Sequence, residues 1–446
     1  MLTHESLEKK SERENIQETL KKIKNRKNNY VVFSLVYFII SLIQIYVLVY
    51  IPLFHFDVLN VDRSSLSLIQ SLSYLVLFSF PALGLFFDKF SRYKNKIIIF
   101  FSFVLSLSFL MFIMYNQFLL SFSIFLVLFL ISTAVIRTGM SKLLLEAPDK
   151  KSEKNLIILI NSCSSIGILL SSFLFKFCVK EIDSLDFWNV FFIVGWLITS
   201  PLLVIFVFMR KTALREPCQE SFKETFKEQD HLKFFSILMI SLIFLAYFFL
   251  WSDRLIAYPF SSYVLSRFGE GGFTLYSDFY VIFTLFNILG FYIAKRLLNR
   301  INFNEDPTIN QYKKFFQIVI FLTLIYVLSL ILLLFSDIII LLATYSLIYL
   351  LGGLFVVLYT TIFLQISRTG KNENLRYWIM LLSSNLASIT FLPLGTFLSQ
   401  YISMEILITM VISLTSVSIL LIYLSRKSIG CGNILKKEIE SKCQSL

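Results

Sequence analysis

The stretch Gly84-Leu-Phe-Phe-Asp88-Lys89-Phe-Ser91-Arg92-Tyr-Lys94-Asn-Lys96 decides the fold. Before it runs an apolar segment about as long as a bilayer is thick. That segment stops at Asp88. Lys89, Arg92, Lys94 and Lys96 follow, and a second apolar segment starts at once. This is the pattern of a tight turn between two membrane-spanning helices. A short turn so rich in Lys and Arg belongs on the cytosolic side.

The same alternation extends outward in both directions. Of 446 residues, 57% are hydrophobic and only 16% are charged, which leaves too little polar surface for a soluble domain. Backbone in hydrocarbon must satisfy its own hydrogen bonds, so each apolar run is read as a helix. Twelve spans are expected near 30–53, 64–87, 97–115, 118–142, 156–177, 187–209, 234–262, 272–294, 314–336, 338–366, 377–401 and 404–424. With the N-terminus inside and Arg137 and Arg254 set aside, the other Lys and Arg fall on the cytosolic side, except Arg63, Lys176, Lys180 and Arg267. That asymmetry fits an even number of spans, both termini in the cytosol and a multi-pass protein of the cell membrane. The net charge of +12 thus belongs to loops and tails and not to a nucleic-acid surface.

The spans divide the chain into a cytosolic tail (1–29), a six-helix bundle (30–209), a cytosolic linker (210–233), a second six-helix bundle (234–424) and a cytosolic C-terminal tail (425–446). Ser11-x-x-Glu14 and Ser221-x-x-Glu224 fit capping boxes, and Ile16, Leu20 and Ile23 share a helical face. Short helices on the inner membrane surface are expected in the first tail and the linker. The halves look like repeats. Lys154-Asn-Leu-Ile-Ile-Leu-Ile-Asn161-Ser-Cys in the fifth span parallels Arg376-Tyr-Trp-Ile-Met-Leu-Leu-Ser383-Ser-Asn in the eleventh. Gly290-Phe-Tyr-Ile-Ala294-Lys295-Arg296 closes the eighth span where the charged turn should recur, with Ala294 in the place of the acid.

Gly84, Asp88, Lys89 and Arg92 match the Gly-x-x-x-Asp-Lys/Arg-x-Gly-Arg/Lys turn of the major facilitator superfamily, which the chain resembles. Ser91 stands where that family usually has Gly. Leu145-Glu146-Ala-Pro148 resembles the family's loop between the fourth and fifth helices, and Phe187-Trp188-Asn-Val-Phe191-Phe the start of its sixth. The resemblance covers roughly 30–424. It implies an all-α membrane fold with twelve transmembrane helices in two six-helix bundles, rocking about a midplane site. It also implies that Asp88 meets the N-terminus of the eleventh helix, near Arg376–Trp378, and holds the cytosolic side shut, with Glu146 at the same gate. Read from the residues alone, an acid at a helix C-terminus needs compensation, which Lys89 and Arg92 can supply.

Ionisable residues within spans mark functional sites by default. Here these are Arg137, Asp253, Arg254 and Asp278. Asp253 and Arg254 are adjacent and point about 100° apart on a helix. Arg254 is therefore expected to pair with Asp278, as an interhelical ion pair, an outer gate or a proton-coupling site. Arg137 either snorkels to the headgroups or binds an anionic solute. The resemblance implies that the first, fourth, seventh and tenth helices line the cavity. On them Ser34, Tyr37, Ser41 and Gln44, then Tyr247, Trp251, Arg254 and Tyr258, then Tyr345, Tyr349 and Tyr359 step at helical spacing. These stripes read as cavity lining, or as bundle packing and interfacial aromatics, Tyr258 and Tyr359 above all. The pair Gly352-Gly353 reads as close packing or a hinge. The fifth span has Asn161, Ser164, Ser165 and Gly167 but lacks the Gly-Pro motif of many antiporters in that family.

Other chemistry has no signal. His4, His55 and His231 lack metal-ligand spacing, and Thr369-Gly370-Lys371-Asn372 is not a phosphate loop. Cys163 and Cys178 lie about 22 Å apart on one helix, and Cys218, Cys431 and Cys443 fall in cytosolic segments, so no disulfide framework is expected. The first 29 residues have no signal-peptide pattern, and Cys443-Gln-Ser-Leu446 is not expected to be prenylated. No enzymatic activity and no cofactor are expected. The expected function is transport of a small, partly apolar organic solute by alternating access, facilitated or driven by a gradient that protons could supply. The alternative is a transporter-shaped sensor or scaffold that binds without translocating. The expected partners are that solute and the lipid bilayer around a monomer.

Overall fold

The computed structural model describes residues 34–90, 93–145, 150–179, 184–200, 237–257, 259–260, 263, 272–303, 307–334, 338–367 and 373–429. Several expectations lie outside the described residues. They are the helices of the first tail and linker, the tail cysteines, Arg92, Glu146, Tyr258 and the side chain of Asp278.

The described chain is all-α, and twelve helices carry it. They are α1 (Ser34–Phe56), α2 (Ser65–Lys89), α3 (Lys94–Met114), α4 (Leu119–Leu145), α5 (Lys150–Cys178) and α6 (Leu185–Thr199). The second set is α7 (Ile237–Ala257), α8 (Gly272–Arg300), α9 (Ile309–Leu333), α10 (Ile338–Ser367), α11 (Glu373–Leu398) and α12 (Met404–Ser428). Eleven of them are long and apolar enough to cross a membrane, and α6 is shorter within the described residues. Helix ends depart from the expected ones by a few residues. The N-terminus of α9 lies five residues before expectation, where Thr308 and Gln311 form a capping box, and α11 begins at Glu373, not near 377.

Two six-helix bundles result. Their outer surfaces expose large apolar side chains such as Leu72, Phe100, Phe177, Leu238 and Phe321, as a lipid-facing wall requires. Inside, aromatic rings fill the first bundle. Tyr46 of α1 stacks on Phe191 of α6 at 4.2 Å, and Tyr50 stacks on Phe175 of α5 at 4.4 Å. Trp188, Phe191 and Phe192, the residues of the expected sixth-helix start, are fully buried there.

Prolines set the local shape. Pro52 has no amide to donate, and its ring crowds the preceding turn. Around it α1 widens into π-turns at Tyr46–Tyr50 and Phe54–Val58, a form often found where a helix carries function. In α2 the turn before Pro81 tightens into a 3-10 segment, Leu75–Phe78.

Where helices cross closely, glycine stands at the contact, as expected for packing in lipid. A Cβ on Gly290 of α8 would run into the Leu350 carbonyl of α10, and one on Gly353 into the Asn287 carbonyl of α8. Gly352, by contrast, faces open space with no atom within 4 Å of such a Cβ. The expected glycine pair therefore divides: Gly353 is a packing residue and Gly352 is not.

Between bundles, α2 lies along α11 and α5 along α8. At one end of the first seam the Ser67 hydroxyl donates to the Pro393 carbonyl at 3.0 Å. At the other end lies the charged turn.

Candidate functional site

The charged turn meets the opposite bundle where α2 ends and α11 begins. Asp88 sits in the last turn of α2, half-buried, and its Oδ2 accepts a hydrogen bond from the Leu375 amide at 3.2 Å. The first amides of a helix have no partner within it and carry the positive end of the dipole. A carboxylate placed there satisfies a donor and gains from the field. This contact compensates the acid from the opposite bundle. Gly84, one turn earlier, makes room: its would-be Cβ lies 3.1 Å from the Asn374 carbonyl oxygen and 3.1 Å from Leu375 Cα. Lys89 is exposed beside the turn.

A second layer bonds α4 to α11. Asn374 is fully buried. Its Oδ1 accepts from the Ser141 hydroxyl at 2.7 Å, and its Nδ2 donates to the Thr138 carbonyl at 3.3 Å. Trp378 Nε1 donates to Ser141 Oγ at 2.9 Å, and its ring packs on Phe80 at 4.4 Å. Two helices, α2 and α4, thus converge on the first turns of α11.

Deeper in the first bundle, Arg137 of α4 does not reach for headgroups. It is about 12 Å from the end of its helix at 1.5 Å per residue. Its Nη2 donates to Gln44 Oε1 of α1 at 2.7 Å, and its guanidinium lies 5.8 Å from the Tyr37 ring centre. Its Nε is shielded and has no hydrogen-bond partner. Ser41, one turn from Tyr37 and Gln44 on the same stripe, is buried. Ser34 bonds Cys163 of α5.

In the second bundle, Arg254 follows a 3-10 turn, Trp251–Asp253, of α7. Its Nη1 donates to the Ser384 carbonyl of α11 at 2.6 Å, and its guanidinium stacks 4.6 Å from the Trp251 ring centre. Asp253 points elsewhere, to the Tyr326 hydroxyl of α9, yet stays within electrostatic reach of Arg254. The neighbours therefore diverge, and the partners described for Arg254 are Ser384 and Asp253. The expected partner Asp278 has its side chain outside the described residues.

The aromatic stripes are enclosed by rings. Tyr247 stacks on Tyr359 at 4.4 Å, and Tyr345 stacks on Phe260 at 4.0 Å. Tyr359 is buried and belongs to this interior stack, not to an interfacial belt. Tyr349 packs on Phe283 at 5.2 Å and bonds Tyr280 of α8. Tyr280 in turn lies within electrostatic reach of Tyr50 on α1, and Asn287 Nδ2 donates to Ser165 Oγ of α5 at 3.4 Å. These residues join the bundles at mid-depth. Sequence reasoning missed Asn287, Asn374, Ser141 and Tyr326. Each stands within or next to an apolar run that hides its partner, and only the asparagines offered a signal.

The apolar helices, the acid-to-amide contact between bundles and the half-buried arginines are those of a multi-pass membrane protein. The sequence profile described as Major Facilitator Superfamily matches residues 33–376, and the chain belongs to that superfamily. The crystal structure of the human organic anion transporter MFSD10 (TETRAN) is similar, with a TM-score of 0.60 at 14% identity. The match covers 89% of this chain and 99% of that one. No curated protein sequence matches. At that identity the structural likeness concerns the fold.

Proposed function

We propose that the chain moves a small, partly apolar organic solute across the cell membrane by alternating access. Residues 30–209 and 234–424 are the rocking bundles, and 210–233 links them in the cytosol. The observation that carries the reading is the Asp88–Leu375 hydrogen bond between bundles. A contact made by one side chain, at a helix end, is weak enough to break in each cycle and strong enough to hold between them. The distribution of Lys and Arg supports a cytosolic position for this gate and for both termini. Lys89, Arg92 and Glu146 complete it, and the protein works as a monomer with no chemical step.

Asp253 is the proposed proton carrier. One of its oxygens, Oδ1, is shielded and has no hydrogen-bond partner, and Tyr326 meets the carboxyl group. Asp278 belongs to the same side of the second bundle. Arg137, Gln44 and Tyr37 face the solute, and Trp251, Arg254 and Tyr349 complete the path, with Tyr247 and Tyr345 behind them.

The test is uptake by proteoliposomes from a mixed solute pool, with and without an imposed pH gradient. Flux that follows the gradient in the native chain, and that is lost in Asp253→Asn while solute exchange persists, supports proton coupling. Flux indifferent to pH removes Asp253 from that role. Absence of flux from folded, inserted protein overturns the transporter reading. It favours a solute-binding sensor, which the buried Ala294 in place of a second gate acid already suits.

A further inference from the structure

The two half-buried arginines differ in one respect. Arg254 has a carboxylate, Asp253, within electrostatic reach, a backbone carbonyl at 2.6 Å and an indole face at 4.6 Å. Its charge is compensated inside the protein. Arg137 has a neutral amide oxygen at 2.7 Å and a neutral phenol ring beside it. Among the described residues no carboxylate pairs with it. A guanidinium has five N–H donors, and the inner Nε of Arg137 is shielded from solvent with nothing to bond. An uncompensated cation at this depth is costly and does not persist without use. Snorkelling would relieve it, but Gln44 holds the group across the α1–α4 interface.

We infer that the solute is an organic carboxylate whose charged end binds Arg137, with Gln44 orienting the guanidinium and Tyr37 covering it. The inference rests on the transporter reading and adds the substrate class. A carboxylate matches the guanidinium fork with two parallel hydrogen bonds, which a neutral carbonyl or an amine does not. One guanidinium neutralises one negative charge. The Tyr37 ring, 5.8 Å from the guanidinium, offers an apolar face to the remainder of such a solute.

The position also links binding to the gate. Arg137 is one helical turn from Ser141, and Thr138 follows it directly. These are the residues of α4 that hold Asn374 and Trp378 of α11. A carboxylate that binds the guanidinium beside Gln44 thus acts on the turn of α4 that fastens the two bundles.

The experiment uses the full-length protein in nanodiscs. Phenylacetate, 4-phenylbutyrate and octanoate are each compared with the matching amide and amine by thermal shift. At least one carboxylate raises the unfolding midpoint, and its amide and amine bind at least tenfold more weakly. Arg137→Gln loses the carboxylate response at least tenfold, and Arg137→Lys retains part of it. Gln44→Glu places a resident carboxylate on Arg137. That variant raises the ligand-free midpoint while abolishing carboxylate binding, a combination that misfolding cannot produce.

The inference is overturned if no carboxylate in the set shifts the midpoint, or if amides or amines bind as well. It is also overturned if carboxylate binding survives in both Arg137→Gln and Gln44→Glu. Proteoliposome flux separates the two claims. Carriage of amides or amines in preference to carboxylates removes this inference and keeps the transporter. Carboxylates that bind through Arg137 but never cross keep the inference and remove the transporter.

Discussion

The Asp88 carboxylate on α2 accepts the amide of Leu375 at the start of α11, 3.2 Å away and 287 residues on in sequence. The acid ends one helix and caps the next one's dipole across the bundle boundary. Asp88→Ala removes a charged hydrogen bond of about 1.5–3 kcal/mol, which shifts the gate equilibrium toward opening by a factor of about ten or more. Spin labels on the exposed Phe90 and Ile379 read this as a population at longer distance. Solute flux falls while binding from the opposite side persists. An unchanged distance distribution would remove Asp88 from the gate.

Trp378 contributes a donor and a ring to the same place. Trp378→Phe keeps the packing on Phe80 and deletes the Nε1 hydrogen bond to Ser141. The expected cost is about 1 kcal/mol. Combined with Asp88→Ala, the effect on the same spin-label distances departs from the sum, because both act on one seam. Strict additivity would mean that the two contacts open independently.

The adjacent glycines of α10 give a contrast within one dipeptide. Gly353→Ala drives a methyl group into the Asn287 carbonyl of α8 and should destabilise by about 1–3 kcal/mol. Gly352→Ala meets nothing within 4 Å and should be neutral, or stabilising by up to about 1 kcal/mol through helix propensity. Thermal unfolding of the two variants in the same detergent decides the matter. Equal losses would contradict the helix crossing described here.

Asp253 and Arg254 form a half-buried charged unit whose members bond different helices. Arg254→Ala leaves the half-buried Asp253 carboxylate without its charge partner and should cost about 1–3 kcal/mol. The double variant Asp253→Asn with Arg254→Met should cost clearly less than that single change. Unfolding midpoints of the two single variants and the double one check the order. A double variant worse than Arg254→Ala would show that the charges do not compensate each other.

The charged turn was legible in the sequence because its parts are local: Gly84, Asp88 and the basic cluster follow one another within 84–96. Even its distant partner was placed within a residue of Leu375, from the resemblance and not from the residues. The spans were legible because hydropathy is a property of a segment. What lay hidden were pairings between helices. Gln44 and Arg137 both stood out, but hydropathy carries no information on which faces meet. Asn374 fell outside the expected eleventh span, since Glu373 and Arg376 made that turn look like loop. Tyr326 sits in the strongly apolar run of α9 and gave no sign that it meets Asp253. Tyr359 lies near a span end, where cavity lining, bundle packing and an interfacial belt all fit its stripe, and its stacking on Tyr247 is a pairing that hydropathy does not reveal.

The seam between α2 and α11 is fastened at both ends in one structure, by Ser67 on Pro393 and by Asp88 on Leu375. A door with two locks engaged together can release one while the other still holds. Along this seam, then, the passage from one side to the other never requires a moment with both undone. The consequence is electrical: a seam that yields one end at a time offers ions no continuous leak along it.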